Sequence, residues 1–345
     1  MFPKLRFQEF DGAWSNSKID DIAVVTSGGT PSRSNLTFWD GNIPWVTTSL
    51  VDFNIIQSAE EFITQKGLDN SSAKLFPKNT ILMAMYGQGI TRGKVAILGI
   101  DATTNQACAA IKLQSNYDTQ FIFQNLMSRY EEIRDLSNDG GQKNLSAGII
   151  KEIEVYYPEK TEQIKIASFL SVVDEKISQF NQKHELLSQY KQGMMQKLFS
   201  QQIRFKADDG SEFGEWEDKR ISEIASYRRG SFPQPYGLPE WLNENGFPFV
   251  QVYDVADNML LKDKTKIKIS QLAANQSVFA KTGTLIITLQ GSIGRVAKMQ
   301  YDAYVDRTLL IFQSYSMPIN TDYFKYALYL LFNIEKEKAD GGIIK

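Results

Sequence analysis

Few residues in this chain could carry covalent or metal chemistry, and their spacing decides against it. Among 345 residues there is one histidine, His184, and one cysteine, Cys108. A nucleophilic triad needs a histidine base beside its nucleophile, and a zinc site needs several Cys or His ligands. His184 falls in an apolar heptad, where a polar residue serves to fix helix register. Cys108, in "NQACAAI", reads as a buried strand position. The glycine-rich "GQGITRGK" (Gly87–Lys94) departs from the phosphate-loop pattern G-x-x-x-x-G-K-[ST], because Val95 follows the lysine. No strand–helix–strand unit surrounds it, so it is not a dinucleotide fingerprint either. "GGTP" at 28–31 is too short to carry weight alone. Carboxylates are plentiful, but none recurs as a pair beside a base, and no Asn-Pro-Pro-Phe-like methylase motif is present. These absences predict a binding protein without an active site.

The elements that would present a binding surface come twice. "WSNSKIDDIA" (Trp14–Ala23) returns as "WEDKRISEIA" (Trp216–Ala225). "LRFQEFDGAW" (Leu5–Trp14) resembles "IRFKADDGSEFGEW" (Ile203–Trp216), and Gly28 and Pro31 meet Gly230 and Pro233. "GNIPWV" (Gly41–Val46) meets "NGFPFV" (Asn245–Val250), "LFPKNTILMA" (Leu75–Ala84) meets "VFAKTGTLII" (Val278–Ile287), and "GKVAI" (Gly93–Ile97) meets "GRVAK" (Gly294–Lys298). Asp139-Gly140-Gly141 meets Asp340-Gly341-Gly342. A steady register over so many segments marks a tandem duplication, with a unit too long for a solenoid repeat. The second copy stops before a counterpart to the last fifth of the first.

Composition sets the frame. The length suggests two or three domains, and 42% hydrophobic with 12% aromatic residues is enough for real cores. One cysteine excludes an intramolecular disulfide and fits a reducing cytoplasm. "MFPKLRFQEFDGAW" lacks a signal-peptide core, and no run of about 18 apolar residues is available to span a membrane. A net charge of −2 lacks the basic excess of a free-standing nucleic-acid binder. DNA binding would need segregated charge, or positive charge from a partner.

Apolar or alternating segments between turn signals predict strands at Ile43–Val51, Thr80–Gly87, Gly93–Ile100 and Ala107–Gln114. In the second copy they fall at Phe247–Val255, Gly283–Gly291, Gly294–Gln300 and Arg307–Ser314. Three- and four-residue spacing predicts helices over Thr119–Ser137 and Thr321–Ala339. Glu162–Ser200 is different: it has no proline, and Ile166, Phe169, Val173, Ile177, Phe180, His184, Leu187, Lys191, Met194 and Leu198 step by three and four. That is a coiled-coil seam on a helix roughly 60 Å long, which needs something against it to be stable. The fold class is therefore α+β: two tandemly duplicated mixed α/β domains, 1–155 and 203–345, joined by a spacer helix within 156–202. The partner expected for that helix is its equivalent after Lys345.

The stretch "QKNLSAGIIKEIEVYYPEKTEQIKIASFLSVVDEKI" (Gln142–Ile177), with its "EKTEQIKI" turn into the helix, resembles the DNA specificity subunit of type I restriction-modification enzymes, as does the two-domain plan. The resemblance implies that each domain reads one half of a bipartite target in double-stranded DNA. It implies that the spacer helix docks two methyltransferase (M) subunits, and that restriction (R) subunits join them in a bacterial or archaeal cytoplasm. No cofactor would be bound by this chain; S-adenosylmethionine, ATP and Mg belong to the partners. The other class left open is a bivalent coiled-coil scaffold for an unrelated partner.

Base readout needs donors and acceptors on loops or strand ends, with cations for phosphates. In the first copy the candidates are Thr30, Ser32 and Arg33 after the Gly-Gly turn, Thr47 and Thr48, and Tyr86, Gln88, Thr91 and Arg92 around the glycine loop. In the second they are Arg228, Arg229, Ser231 and Gln234, then Gln251 and Tyr253, then Gln290, Ser292 and Arg295. The apolar framework persists between copies while these residues differ, as two unlike half-sites would require. Lys143 and Asn144 read as orienting the path into the helix, and "LLKDKTKIKIS" (Leu260–Ser270) as a solvated edge strand.

Overall fold

The computed structural model describes residues 4–87, 90–136 and 144–338. Ser137, both Asp-Gly-Gly motifs, Gln88 and Lys143 lie outside them. The chain divides into two compact units, Met1–Ser188 and Gln189–Lys345.

In the first unit, Ile81–Ala84 and Val95–Leu98 are buried at every position. A strand covered on both faces reads as a continuous apolar run instead of an alternating one. The period of two still sorts the faces. Ile81 and Met83 join Ile111, Phe121, Ile122, Leu126 and Ile133 on one side, while Leu82 and Ala84 join Val46, Val51, Ile56 and Phe76 on the other. These strands belong to a five-stranded sheet in the order Ala23–Ser27, Cys108–Leu113, Ile81–Ala84, Val95–Leu98, Ile55–Ile56. A three-stranded sheet holds Glu61–Ile63, Trp39–Val46 and Thr103–Thr104, the last pair parallel.

The second unit repeats this plan. One sheet runs Ala225–Arg229, Leu309–Tyr315, Leu285–Thr288, Val296–Lys298; the other runs Ile267–Ile269, Leu242–Val250, Ala303–Val305, Val278–Ala280. The parallel pair recurs residue for residue: Trp45 faces Thr103 in one unit and Phe249 faces Tyr304 in the other. Ile267–Ile269 has a neighbour on one side only, as an edge strand does. The helix Thr321–Lys338 lays Phe324, Leu328 and Phe332 on Leu285, Ile287 and Val296.

Three elements differ from expectation. The helix over Thr119–Ser137 is two helices, Thr119–Ser128 and Tyr130–Asp135. They part at Arg129, whose guanidinium donates to the Glu154 carbonyl at 2.5 Å and to Glu132. The strands expected to reach Val51 and Val255 end at Val46 and Val250, and each passes into one 3-10 turn, Thr48–Leu50 and Val252–Asp254. In the second unit Asp254 closes that turn by accepting from the Gln251 N–H at 2.9 Å.

The long helix spans Lys160–Phe199, about 60 Å at 1.5 Å per residue. Its first turn holds the Glu-Gln pair, and both side chains are buried. Glu162 accepts two hydrogen bonds from Arg6, at 2.8 and 2.6 Å. Gln163 accepts from the Asp118 N–H and donates to the Pro158 carbonyl, each at 2.9 Å. Past Ala167 the helix emerges. Of the heptad positions, Phe169, Val173, Ile177, Phe180 and Leu187 are exposed, as are His184 and Lys191, whereas Ile166, Met194 and Leu198 are half-buried. Among the described residues, no helix is long and apolar enough to cross a membrane.

Candidate nucleic-acid interface

Strand ends gather the candidate residues of the first unit. Ala84, ending one strand, faces Cys108, beginning another. Ser27 faces Ala109 and Val46 faces Thr104. The loops bearing Thr30, Ser32, Thr47, Thr48, Tyr86 and Thr91 therefore leave from the same end of the sheets. Glycine makes the closest approach possible: a Cβ on Gly28 would lie 2.0 Å from the Thr104 carbonyl oxygen, and the Gly29 N–H donates to that oxygen at 2.8 Å. The Thr30 hydroxyl then donates to Gln106 Oε1 at 2.5 Å. Gln106 is exposed on a turn in which Asn105 Oδ1 accepts from the Ala107 N–H at 3.1 Å. The Thr47 hydroxyl bonds Ser49, and that of Ser32 bonds Ser34 at 2.9 Å.

Two of the arginines have other work. Arg33 forms a bidentate pair with Glu61, and its guanidinium lies 3.8 Å from the ring centroid of Trp39. The hydrogen bonds from Arg33 hold the Glu61 carboxyl below its usual range. Arg92 Nε donates to the Arg134 carbonyl at 3.2 Å, and Tyr130 donates to the Ile90 carbonyl, so Ile90 and Arg92 are tied to the helix Tyr130–Asp135.

The second unit gathers its candidates by the same device. Thr288 faces Leu309, Arg229 faces Leu310 and Val250 faces Val305. A Cβ on Gly230 would lie 2.1 Å from the Val305 carbonyl oxygen, and the Ser231 N–H donates to it at 3.0 Å. Arg228, Arg229, Gln234, Tyr253 and Gln290 are exposed there, with Ser231, Gln251 and Ser292 half-buried. Gln251 Nε2 donates to the Tyr236 hydroxyl at 2.8 Å, which donates to Asp306 Oδ2 at 2.8 Å. The Tyr253 hydroxyl donates to Gln251 Oε1. Burial, then the Asp306 carboxylate, push the Tyr236 hydroxyl above its usual pKa. Asp306 Oδ1 also accepts from the Thr308 N–H at 2.9 Å and its hydroxyl at 2.5 Å. Arg307 is exposed, with its guanidinium 5.5 Å from the Tyr236 ring centroid. Arg295 is turned elsewhere: its Nη1 donates to the Val255 carbonyl at 3.0 Å.

Gln106, Tyr236 and Arg307 were not among the residues singled out by sequence. The signal for Gln106 and Arg307 is "TTNQA" (Thr103–Ala107) against "YVDRT" (Tyr304–Thr308), where Asn and Asp, which bond their own backbone two residues on, occupy equivalent places; nothing in the sequence pattern marks Tyr236. Among the described residues no group of three or more His, Cys, Asp or Glu could hold a metal ion.

The same fold is thus built twice, with equivalent strand ends and different side chains upon them. The chain belongs to the family described as type I restriction modification DNA specificity domain, whose model matches residues 12–188. The type I restriction enzyme MjaIX specificity subunit of Methanocaldococcus jannaschii is 30% identical over 233 residues, covering 63% of this chain and 53% of that protein. The EcoR124I/EcoR124II specificity subunit of Escherichia coli is 27% identical over 174 residues, covering 49% of this chain and 43% of that protein. The matches thus span about half the length of these curated relatives. The fold is also that of the type I restriction-modification S subunit from M. genitalium, at TM-score 0.57 and 18% identity, over 100% of this chain and 84% of that one.

Proposed function

We propose that this chain is the sequence-reading, non-catalytic subunit of a type I restriction-modification complex, each unit reading one half of a bipartite target in double-stranded DNA. The observation that carries this reading is the pair of equivalent rims: the same glycine approach and the same strand ends, with Thr30, Thr47 and Gln106 in one unit and Tyr236, Gln251 and Arg307 in the other. Contacts to bases specify and contacts to phosphates position. On this division the exposed Arg228 and Arg229 would meet phosphate, and the rim side chains just named would meet base edges.

The exposed apolar face of the long helix is where M subunits would dock. They would bring S-adenosylmethionine and the positive charge that a net −2 chain lacks. Methylating a base within a duplex requires flipping it from the stack, which also falls to them. R subunits, with ATP and Mg, would complete the assembly, and the domain division 1–155, 156–202 and 203–345 follows the same plan. Co-expression with the cognate methyltransferase, followed by sequencing of methylated adenines, tests this. The expected result is two short specified elements separated by a fixed unspecified gap. A single continuous element, or no methylation above background, refutes it.

A further inference from the structure

The turns at Asn105 and Asp306 share one construction. The Asn105 N–H donates to the Val46 carbonyl at 3.1 Å, and the Asp306 N–H donates to the Val250 carbonyl at 3.0 Å. Each side chain then folds onto the backbone N–H two residues ahead, at 3.1 and 2.9 Å. The glycines closing on Thr104 and Val305 seal the inner side in both units. The residue between, Gln106 or Arg307, is exposed in each case. The backbone is held alike and the head group differs.

The two head groups are those with a planar pair of hydrogen-bonding atoms. A carboxamide offers a donor and an acceptor, which match N7 and N6 of adenine; a guanidinium offers two parallel donors, which match N7 and O6 of guanine. Each has a neighbour from its own rim. Thr30 fixes Gln106 through Oε1, leaving Nε2 and the second Oε1 lone pair for a base. Arg307 makes no hydrogen bond or ion pair among the described residues and lies over the Tyr236 ring, which is itself held between Asp306 and Gln251. The Tyr236 ring favours a cation beside it, and the planar fork of a guanidinium is what bidentate reading of a base edge requires. Arg33 is paired with Glu61 and Arg295 donates to a carbonyl, while Arg228 Nε donates to the adjacent Arg229 carbonyl at 3.3 Å.

We propose that Gln106 and Arg307 are equivalent base-reading residues, Gln106 specifying an adenine in one half-site and Arg307 a guanine in the other. This rests on the reading of the chain as a bipartite DNA reader. The test is selection from a randomised double-stranded DNA library by the chain in complex with its methyltransferase partner, comparing wild type with Arg307→Ala and Gln106→Ala. Arg307→Ala is expected to lose about ten- to a hundredfold of the preference at one guanine, leaving the other half-site unchanged. Gln106→Ala is expected to do the same at one adenine of the opposite half-site. A variant that keeps every base preference overturns the inference. So does one that weakens binding equally for all sequences with a shallower salt dependence, the mark of a phosphate contact. In both cases the wild-type bipartite motif leaves the underlying reading intact, whereas a wild type that selects no bipartite motif overturns both. If Arg307→Ala binds nothing, Arg307→Lys decides. It keeps the charge without the fork, so a relaxed guanine preference supports the assignment and an unchanged one overturns it.

Discussion

Truncating Gln163 to alanine should loosen the anchorage of the long helix. The side chain is 1% exposed and joins two elements: the Asp118 N–H, at the cap of Thr119–Ser128, and the carbonyl of Pro158, just before the long helix begins. Alanine reaches neither. A buried backbone group left without a partner costs about 1–3 kcal/mol. Pro158 is buried and Asp118 only half-buried, so water can reach the second group more easily than the first. The expected sum is about 2–4 kcal/mol. Two units make a single unfolding free energy ill-defined, so amide exchange read by segment is the suitable assay. Protection over 118–128 and 158–170 should fall from about thirtyfold to nearly a thousandfold, while Leu309–Tyr315 in the other unit keeps its protection. Gln163→Glu sharpens the test. It still accepts from Asp118 but sets a carboxylate oxygen against the Pro158 carbonyl; protonation restores a donor, so its defect should shrink as the pH falls. Less than a threefold change at both segments in Gln163→Ala, or equal loss in both units, would refute the reasoning.

Gly28→Ala forces a Cβ to within 2.0 Å of a backbone oxygen and should cost about 1–3 kcal/mol, seen as a melting temperature lowered by several degrees. Gly12→Ala, which meets nothing within 4 Å, should leave it unchanged. Burial raises the Cys108 thiol from 9.0 to about 11. The folded state thus holds this proton more tightly, and the associated stability is complete below about 9 and lost as the pH rises through about 11. Native protein should therefore resist a thiol reagent at pH 8.5 and react on addition of urea; rapid native labelling would contradict the burial. Phe180→Asp with Leu187→Asp alters positions 67% and 56% exposed. Each change should shift stability by about 0.5 kcal/mol or less while abolishing co-purification with the methyltransferase subunit; retained co-purification would count against the helix as the docking face.

The parts of the fold legible in the sequence were those governed by local pattern. Apolar runs located Ile81–Ala84 and Val95–Leu98, heptad spacing located the long helix, and the glycine and proline signposts aligned the two units. Reading partnership proved harder, because an arginine's role depends on what waits far along the chain. Arg33 meets a carboxylate 28 residues away, and Arg92 and Arg295 meet carbonyls 42 and 40 residues away. Arg228, whose Nε donates to the adjacent Arg229 carbonyl, and Arg229 are exposed, yet residue type alone does not separate them from the three held by distant partners. The Glu-Gln pair was visible as a signature of helix entry. That it is buried, clamping Arg6 and bridging Asp118 to Pro158, needed the fold.

The duplication supplies an internal control for sorting scaffold from reader. Gly28 and Gly230 stand where a Cβ would strike backbone at 2.0 and 2.1 Å, so neither unit can change them cheaply. Lys94 and Arg295, aligned in the repeat, both reach the chain just past the short helical turn, at Asp52 and at the Val255 carbonyl. Asn105 and Asp306 both close their turns. By contrast Gln106 and Arg307 project from equivalent points and touch little of the core, where substitution shifts stability by no more than about half a kcal/mol. A fold arranged this way can exchange what it reads without altering how it stands. Gln106→Arg should accordingly fold as wild type in a thermal melt while changing the base selected at one position of one half-site. A melt lowered by more than a few degrees would show that the tip is part of the scaffold after all.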